Sequence, residues 1–373
     1  MAPQQNNVVV LGRTRAGKTS IIRTLVDHLD PNDAIGEDPT TETSAHAVES
    51  FIPLTFWDTP GMNKSNRSSP DNVLADQTSL PWSDVCALVY VIDAQDMVFH
   101  TDLSYTIADA YEKNPRISIH IFVHKIDGHS DEYSLDVAQS LEESVEGELR
   151  YEMEVTGDLD IHYHLTSIYD SSIFVAFSRV IRELMKTNTF THQLDDLCDR
   201  LNSTCSMERT YIFDVPNRLY LAADNSPSDG NAFSTMSAYL KFLLQFSGIY
   251  SHLQEPGPGA GEAPSEENGN LLGVPQKERP PARLPISTGR YASSTARLTK
   301  DISLAFWQLN NSLALVSMLR TDTYAKQAGL LEYNIAFFRR GVTNLYELAQ
   351  LQGPVLNVSR TSDSIQQLRA DAQ

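Results

Sequence analysis

A run of four apolar residues, Val8-Val9-Val10-Leu11, leads directly into Gly12-Arg13-Thr14-Arg15-Ala16-Gly17-Lys18-Thr19. An amphipathic segment follows, from about Thr19 to His28. A G-x-x-x-x-G-K-[ST] octet between a strand and a helix is a phosphate-binding loop. Its glycines let the backbone wrap closely, and successive N–H groups then converge on an anion at a helix N-terminus. Lys18 is expected to supply charge to the β- and γ-phosphates, and the Thr19 hydroxyl to coordinate Mg²⁺. Arg13, Thr14, Arg15, Ala16, Gly17 and Ser20 complete the expected nucleotide contacts. The loop demands a strand–turn–helix frame, which restricts the first half of the chain to α/β architecture.

The sequence beyond the loop supports that frame. Phe51 to Trp57, Val85 to Ile92, Ile117 to Val123 and Ile161 to Leu165 read as further strands. Continuous apolar strands separated by helices indicate a mostly parallel sheet covered on both faces. From Ser171 to Met185, Ile173, Phe177, Val180, Ile181 and Leu184 recur at helical spacing. Asp170 or Ser171 is the expected cap. This helix should close a first domain spanning residues 1–187.

Three short segments add chemistry. Asp58-Thr59-Pro60-Gly61 follows an apolar strand, where an Asp can hold Mg²⁺ and the Gly61 N–H can reach a γ-phosphate. His124-Lys125-Ile126-Asp127 ends a buried strand. A carboxylate there can accept from both N1–H and the exocyclic amine of guanine. Adenine offers no such donor pair and would leave a buried Asp127 unpaired. The Lys125 stem can lie over the base. Thr166-Ser167-Ile168-Tyr169 ends the last strand, where the Ser167 and Ile168 backbone can meet the guanine O6. Between the phosphate loop and Asp58, the stretch Gly36 to Ser50 is polar and threonine-rich. A switch loop needs one hydroxyl that reaches Mg²⁺ and the γ-phosphate. Thr40 and Thr41 are the candidates and Thr43 the runner-up. Thr41 is carried forward as the expected metal ligand beside Thr19 and Asp58, and as the expected catalytic partner of Lys18 and Gly61.

The second half, residues 188–352, has a different pattern. Phe190, Leu194, Leu197 and Leu201 fit a short helix. Tyr211, Phe213 and Val215 alternate before Pro216-Asn217, and Leu219 and Leu221 after it, as in a hairpin. Ala232 to Ser247 reads as helix. Ile302, Leu304 and Phe306 alternate, Asn310-Asn311 turns the chain, and Leu313 to Leu319 returns. Leu331, Ile335, Phe338, Val342 and Leu345 fit a final helix. The expected result is an antiparallel sheet with helices packed on it. Residues 255–289 hold seven Pro and six Gly with few large apolar residues, so they are expected to be a disordered insertion. A disordered tail is expected at 353–373.

Composition removes other classes. The formal net charge is −19, which argues against nucleic-acid binding and against a free-standing binder of anionic membranes. Three cysteines without metal-ligand spacing leave no disulfide framework or zinc module to expect. Val85 to Ile92 is far short of the ~20 apolar residues that a membrane helix requires. The termini show no signal peptide, myristoylation site or prenylation cysteine. A cytoplasmic chain is expected, held at a membrane only indirectly. His120, His162 and His164, with no metal-spaced neighbour in sequence, are expected to be structural.

Four boxes in this order resemble the Ras-like GTPase superfamily over about Asn6 to Met185. His124-Lys125-Ile126-Asp127-Gly128, the run Ala87-Leu88-Val89-Tyr90-Val91-Ile92-Asp93-Ala94-Gln95-Asp96, and Thr166-Ser167-Ile168-Tyr169-Asp170 followed by Ser172-Ile173-Phe174 sharpen this. They resemble the Rag GTPases of the C/D class. Phe213-Asp214-Val215, Asp224-Asn225-Ser226-Pro227, Ala314-Leu315-Val316 and Leu331-Glu332-Tyr333-Asn334 are similar to the Rag C-terminal domain.

The resemblance implies a six-stranded G domain binding GTP or GDP with Mg²⁺, then a roadblock-type domain. It implies a heterodimer with an A/B-class Rag through that domain, with the Tyr211 to Leu221 strands and the Leu331 to Leu345 helix as candidate dimer surface or simply core. It also implies a Ragulator- or EGO-type scaffold on the vacuole or lysosome, a target-of-rapamycin complex subunit as effector, and GTPase-activating and exchange factors. Met62 departs from the pattern. Ras-like GTPases place Gln there to orient the attacking water, and a thioether cannot do so. Slow hydrolysis is expected; the alternative is a nucleotide-locked scaffold subunit. A phosphate-loop ATPase is a more distant alternative, which Asp127 argues against.

Overall fold

The computed structural model describes residues 6–34, 38–50, 52–62, 74, 80–95, 100–152, 160–185, 190–227, 229–250 and 291–352. The expected insertion and tail lie outside these residues, as does most of the polar stretch after Met62.

The first sheet contains β1 (Asn6–Gly12), β2 (Ser44–Glu49), β3 (Pro53–Asp58), β4 (Val85–Asp93), β5 (Ser118–His124) and β6 (Ile161–Thr166). Its order is β2-β3-β1-β4-β5-β6. Every pairing is parallel except β2 with β3. The apolar runs foreseen in the sequence are the interior strands, and Val8 to Leu11 are almost wholly buried. The helices are α1 (Lys18–Val26), α2 (His100–Lys113), α3 (Asp131–Gly147) and α4 (Ser172–Leu184). One apolar cluster joins α1 and α4 to the sheet through Ile21, Phe122 and Phe177. The other joins α2 and α3 through Leu103, Ile107 and Leu141, so both faces are covered. Ser130 caps α3 by accepting from the Tyr133 N–H.

β2 was not foreseen. Ser44 to Val48 are half-buried or exposed because an edge strand hides only part of one face. It lacks the apolar signal that marked the interior strands.

The second sheet follows α5 (Phe190–Cys205). It contains β7 (Met207–Asp214), β8 (Leu219–Ala223), β9 (Ser293–Arg297), β10 (Ile302–Gln308) and β11 (Leu313–Arg320), in the order β8-β7-β11-β10-β9. All its pairings are antiparallel. Edge strand β9, with alternating half-buried and exposed residues, was missed for the same reason as β2. Between β8 and β9 comes α6 (Gly230–Tyr250), and α7 (Thr321–Gln352) ends the described chain. Strand alternation places Tyr211 and Phe213 against Phe233 of α6. On the opposite face, the Trp307 indole N–H donates to Glu332 of α7. Leu331, Ile335, Phe338 and Val342, candidates for a dimer surface, are core residues facing this sheet, as are Tyr211, Phe213 and Leu221.

The two sheets share one apolar cluster. α4 packs against β8, and the Tyr220 N–H donates to Ser178 Oγ at 2.9 Å. Arg182 of α4 grips both Asp195 oxygens at 3.0 and 2.8 Å and donates to the Leu221 carbonyl. A forked guanidinium–carboxylate pair fixes orientation as well as distance.

Candidate nucleotide-binding site

The motif residues stand at the C-terminal ends of the parallel strands, where open α/β sheets bind ligands. Gly12 ends β1, Asp58 ends β3, Asp93 ends β4, His124 ends β5 and Thr166 ends β6.

The phosphate loop is shaped by backbone that glycine tolerates. Gly12 has φ +144°, and a Cβ there would lie 2.3 Å from the Val91 carbonyl oxygen. Gly17 has φ +102°, and a Cβ would meet the His124 ring at 2.7 Å. Arg15 also takes a left-handed conformation, with φ 65°. The loop closes with an Ala16 N–H to Arg13 carbonyl bond of 3.2 Å, and α1 begins at Lys18. Lys18 is buried, and its ammonium lies 3.0 Å from the carbonyls of both Gly12 and Arg13. Burial lowers its pKa to about 8, against the opposing pull of Asp58. A buried cation of this kind gains most from a phosphate partner. The Ser20 hydroxyl turns away to the Ala34 carbonyl, which leaves its first-turn backbone N–H as the group able to contact a nucleotide.

Beside the loop, Thr19 Oγ1 donates to Asp58 Oδ2 at 2.8 Å and lies 2.7 Å from Thr40 Oγ1. Asp58 is 2% exposed, and its other oxygen, Oδ1, is buried without a hydrogen-bond partner. Two hydroxyls and an unsatisfied carboxylate oxygen are the hard donor set that Mg²⁺ prefers. The structure brings Thr40 to this cluster. Thr41 is exposed and lines the adjoining cleft of about 310 Å³ with Asp38 and Glu42. Thr43 follows outside that lining.

The segment after Asp58 lies on the phosphate loop. Buried Thr59 donates to the Val10 carbonyl at 2.7 Å. Gly61 packs so tightly on Thr14 that a Cβ would meet its backbone at 2.4 Å. The Met62 N–H donates to the Gly12 carbonyl at 3.1 Å, and its thioether packs against the apolar cluster beneath α2.

At the other end of the site, Lys125 has φ 64° and its ammonium donates to Asp93 Oδ2 at 2.6 Å and to the Arg15 carbonyl at 2.8 Å. This ties the guanine box to the phosphate loop. Asp127 Oδ1 accepts from Ser167 Oγ at 2.6 Å. The Asp127 side chain is exposed, not buried as expected. His124 is 1% exposed and its Nδ1 lies 3.1 Å from Thr166 Oγ1. Burial and the neighbouring Lys125 cation lower its pKa to about 4, so it is neutral at physiological pH. Ile168 is buried, while the Ser167 N–H is engaged by Ser172 Oγ at 2.8 Å.

Two residues of this network were absent from the expected site. Asp93 orients Lys125, and the register that sets Asp93 beside His124 makes this possible. Ser172 holds the Ser167 turn and also bonds Asp170. Both fall within runs quoted above for their resemblance, which was the available signal. His120, His162 and His164 converge on one face of β5 and β6, and His162 comes within ligand distance of two carboxylates.

Residues 7–240 match the family described as the Gtr1/RagA G protein conserved region. The chain is 31% identical over 345 residues to the GTP-binding protein gtr2 of Schizosaccharomyces pombe, covering 91% of this chain and 97% of that protein. It is 27% identical over 345 residues to the human Ras-related GTP-binding protein C, covering 91% and 77%. It is 26% identical over 347 residues to the GTP-binding protein GTR2 of Saccharomyces cerevisiae, covering 92% and 93%.

Proposed function

The chain belongs to the Gtr1/RagA family of G proteins, alongside Gtr2 and Rag C/D relatives, and from that premise we propose that it is the C/D-type subunit of a nutrient-signalling heterodimer. As a member it is a GTPase that binds GTP and GDP. The proposal adds a partner, an output and a set of roles.

The observation that carries the switch reading is the Thr19–Thr40–Asp58 cluster with its unsatisfied Asp58 oxygen. Thr19, Thr40 and Asp58 would hold Mg²⁺, which neutralises phosphate charge when bound. Lys18 and the N–H groups from Arg13 to Ser20 hold the β- and γ-phosphates, with Gly61 and either Thr40 or Thr41 sensing the γ-phosphate. His124, Lys125, Asp127, Ser167 and Ile168 receive guanine. Because Thr40 lies only a few residues before β2, which starts at Ser44, loss of the γ-phosphate would release that strand's N-terminal end.

Met62 supports slow turnover. Its side chain is turned into apolar packing and has no group that could hold a water in line. The same observation favours the second reading, a subunit that keeps its nucleotide and serves to complete a dimer.

The heterodimer reading is supported by α7, where Leu330, Tyr333 and Phe337 are 50%, 60% and 54% exposed along one stripe opposite its core face. The occupant is the roadblock-type domain of an A/B-class Rag. Effector binding to a target-of-rapamycin complex, scaffold tethering at the vacuole or lysosome, and regulation by activating and exchange factors follow from the family resemblance. Among the described residues no helix is long and apolar enough to cross a membrane, which fits tethering by a scaffold.

The test is purification of the tagged chain from its own cells. A stoichiometric A/B-type subunit, bound guanine nucleotide and hydrolysis accelerated by an activating protein are expected. A monomer overturns the heterodimer, and turnover unchanged by any activator in the cell extract favours the locked-scaffold reading.

A further inference from the structure

β6 is the outer strand of the first sheet, and strand alternation places His162 and His164 on its α4-facing side. The parallel register sets His120 of β5 directly beside His162. The His120 ring stacks on His162 with centroids 5.0 Å apart and planes 23° from parallel. His120 is itself held, with Ser118 Oγ at 2.8 Å from one ring nitrogen and His164 at 3.2 Å from the other. The His162 ring is therefore oriented by a supported neighbour.

His162 Nε2 faces two carboxylates. Asp160 Oδ1 lies at 3.0 Å and Glu183 Oε2, from the last turn of α4, at 3.9 Å. One ligand atom from each of the three residues lies within 4.8 Å of the others. Nε2 is buried, yet it makes no hydrogen bond of acceptable geometry to either oxygen. The nitrogen lies within ion-pair range of both carboxylates without a hydrogen bond to either, so all three groups have lone pairs left for a shared cation.

We propose that Asp160, His162 and Glu183 form a transition-metal site of the Zn²⁺ class at the edge of the G domain. One imidazole and two carboxylates suit Zn²⁺ and its first-row neighbours, whereas Mg²⁺ takes oxygen ligands. Three protein ligands leave the remaining positions to water. His120 is a positioning residue, since its ring stack sets the plane of His162. The ion would fasten the start of β6 to the end of α4. The turn between those elements carries Ser167 and Ile168, and α4 also holds the second sheet through Arg182.

The test uses the full chain loaded with Mg²⁺·GDP and stripped of other metals, with its native partner if it purifies with one. Zn²⁺ uptake is measured by calorimetry, and Co²⁺ is added separately as a visible-absorbance probe. One Zn²⁺ per chain, a raised Tm and Co²⁺ ligand-field bands are expected. Glu183→Gln and His162→Ala should each weaken Zn²⁺ binding by more than ~100-fold, beyond the loss typical of changes outside the ligand shell. His192→Ala, on an exposed part of α5, should leave it unchanged. Retained GDP in each variant establishes that it is folded, and Glu183→Gln, at a helix end, is the milder change. Equal uptake by wild type and both ligand variants, loss on His192→Ala, or no uptake by the wild type would each overturn the site.

Discussion

Ser50 Oγ donates a 2.6 Å hydrogen bond to Asp214 Oδ2, joining the β2–β3 turn to the second sheet across 164 positions of sequence. Asn217 donates to the same oxygen at 2.7 Å, while Oδ1 is buried without a partner. β2 thus begins just after Thr40 at the phosphate end and is pinned by a fully buried carboxylate at the other. Contacts so placed can pass a change in the switch loop to the second domain.

Asp214 predicts a pH effect. Burial raises its pKa from 3.8 to about 6, and the bonds from Ser50 and Asn217 only partly oppose this. The native chain therefore holds this proton between pH 4 and 6 while the unfolded chain has lost it. The Asp214 contribution to stability falls as pH rises through that window and is flat above it. His124 acts oppositely: its depressed pKa means that stability is lost as pH falls from 6.5 towards 4. A difference measurement isolates Asp214. Asp214→Asn should be more stable than wild type at pH 8, by up to about 3 kcal/mol, and the gain should shrink from pH 6 to pH 4. Urea midpoints across this range read it; a difference that does not vary with pH refutes the buried-acid account.

The switch threonine gives a second prediction. Thr40→Ala removes the hydroxyl nearest Thr19, so the Mg²⁺ concentration needed to retain GTP should rise at least ~10-fold, about 1.4 kcal/mol. Thr41→Ala should shift it little. Fluorescent GTP release across a Mg²⁺ titration separates them, and a larger effect from Thr41 would return the role to that residue.

These two cases show what was readable in sequence. Interior strands such as Val85 to Ile92 announce themselves because both faces are buried. β2 and β9 do not, since an edge strand needs little apolar surface. The phosphate loop and guanine box were legible because their chemistry requires fixed residue types at fixed spacing. Thr40 and Thr41 are equivalent in a polar loop without periodicity, and only the path of the chain from Asp38 to β2 separates them. The placements of Asp93 and His162 depend on the registers of β4, β5 and β6 and on where α4 ends, which no local pattern records.

Guanine selectivity is expected to depend on Asp127, and its exposed position makes the test direct. Asp127→Asn should reverse the hydrogen-bond demand and shift preference from GTP towards xanthosine triphosphate, by roughly 10-fold or more. Ser167 would keep an oxygen acceptor in the variant, so the turn should stay in place. Competition binding with GTP, xanthosine triphosphate and ATP measures this. Undiminished GTP preference would remove Asp127 from base recognition, and an ATP preference in the wild type would remove guanine itself.

Met62 is expected to limit the rate of the chemical step. Its N–H is fixed to the Gly12 carbonyl, so a substitution there changes the side chain without moving the backbone away from the phosphate loop. Met62→Gln supplies an amide that can orient water, and single-turnover GTP hydrolysis should rise at least ~10-fold. The cost is the loss of a thioether from the packing beneath α2, about 1 kcal/mol, which the Tm reports independently. If hydrolysis rises, slow turnover in the native chain is set by this one side chain and the subunit is a tunable switch. If the variant folds, binds GTP and hydrolyses it no faster, the block lies in the tight packing of Gly61 on Thr14, and the locked-scaffold reading gains the stronger support.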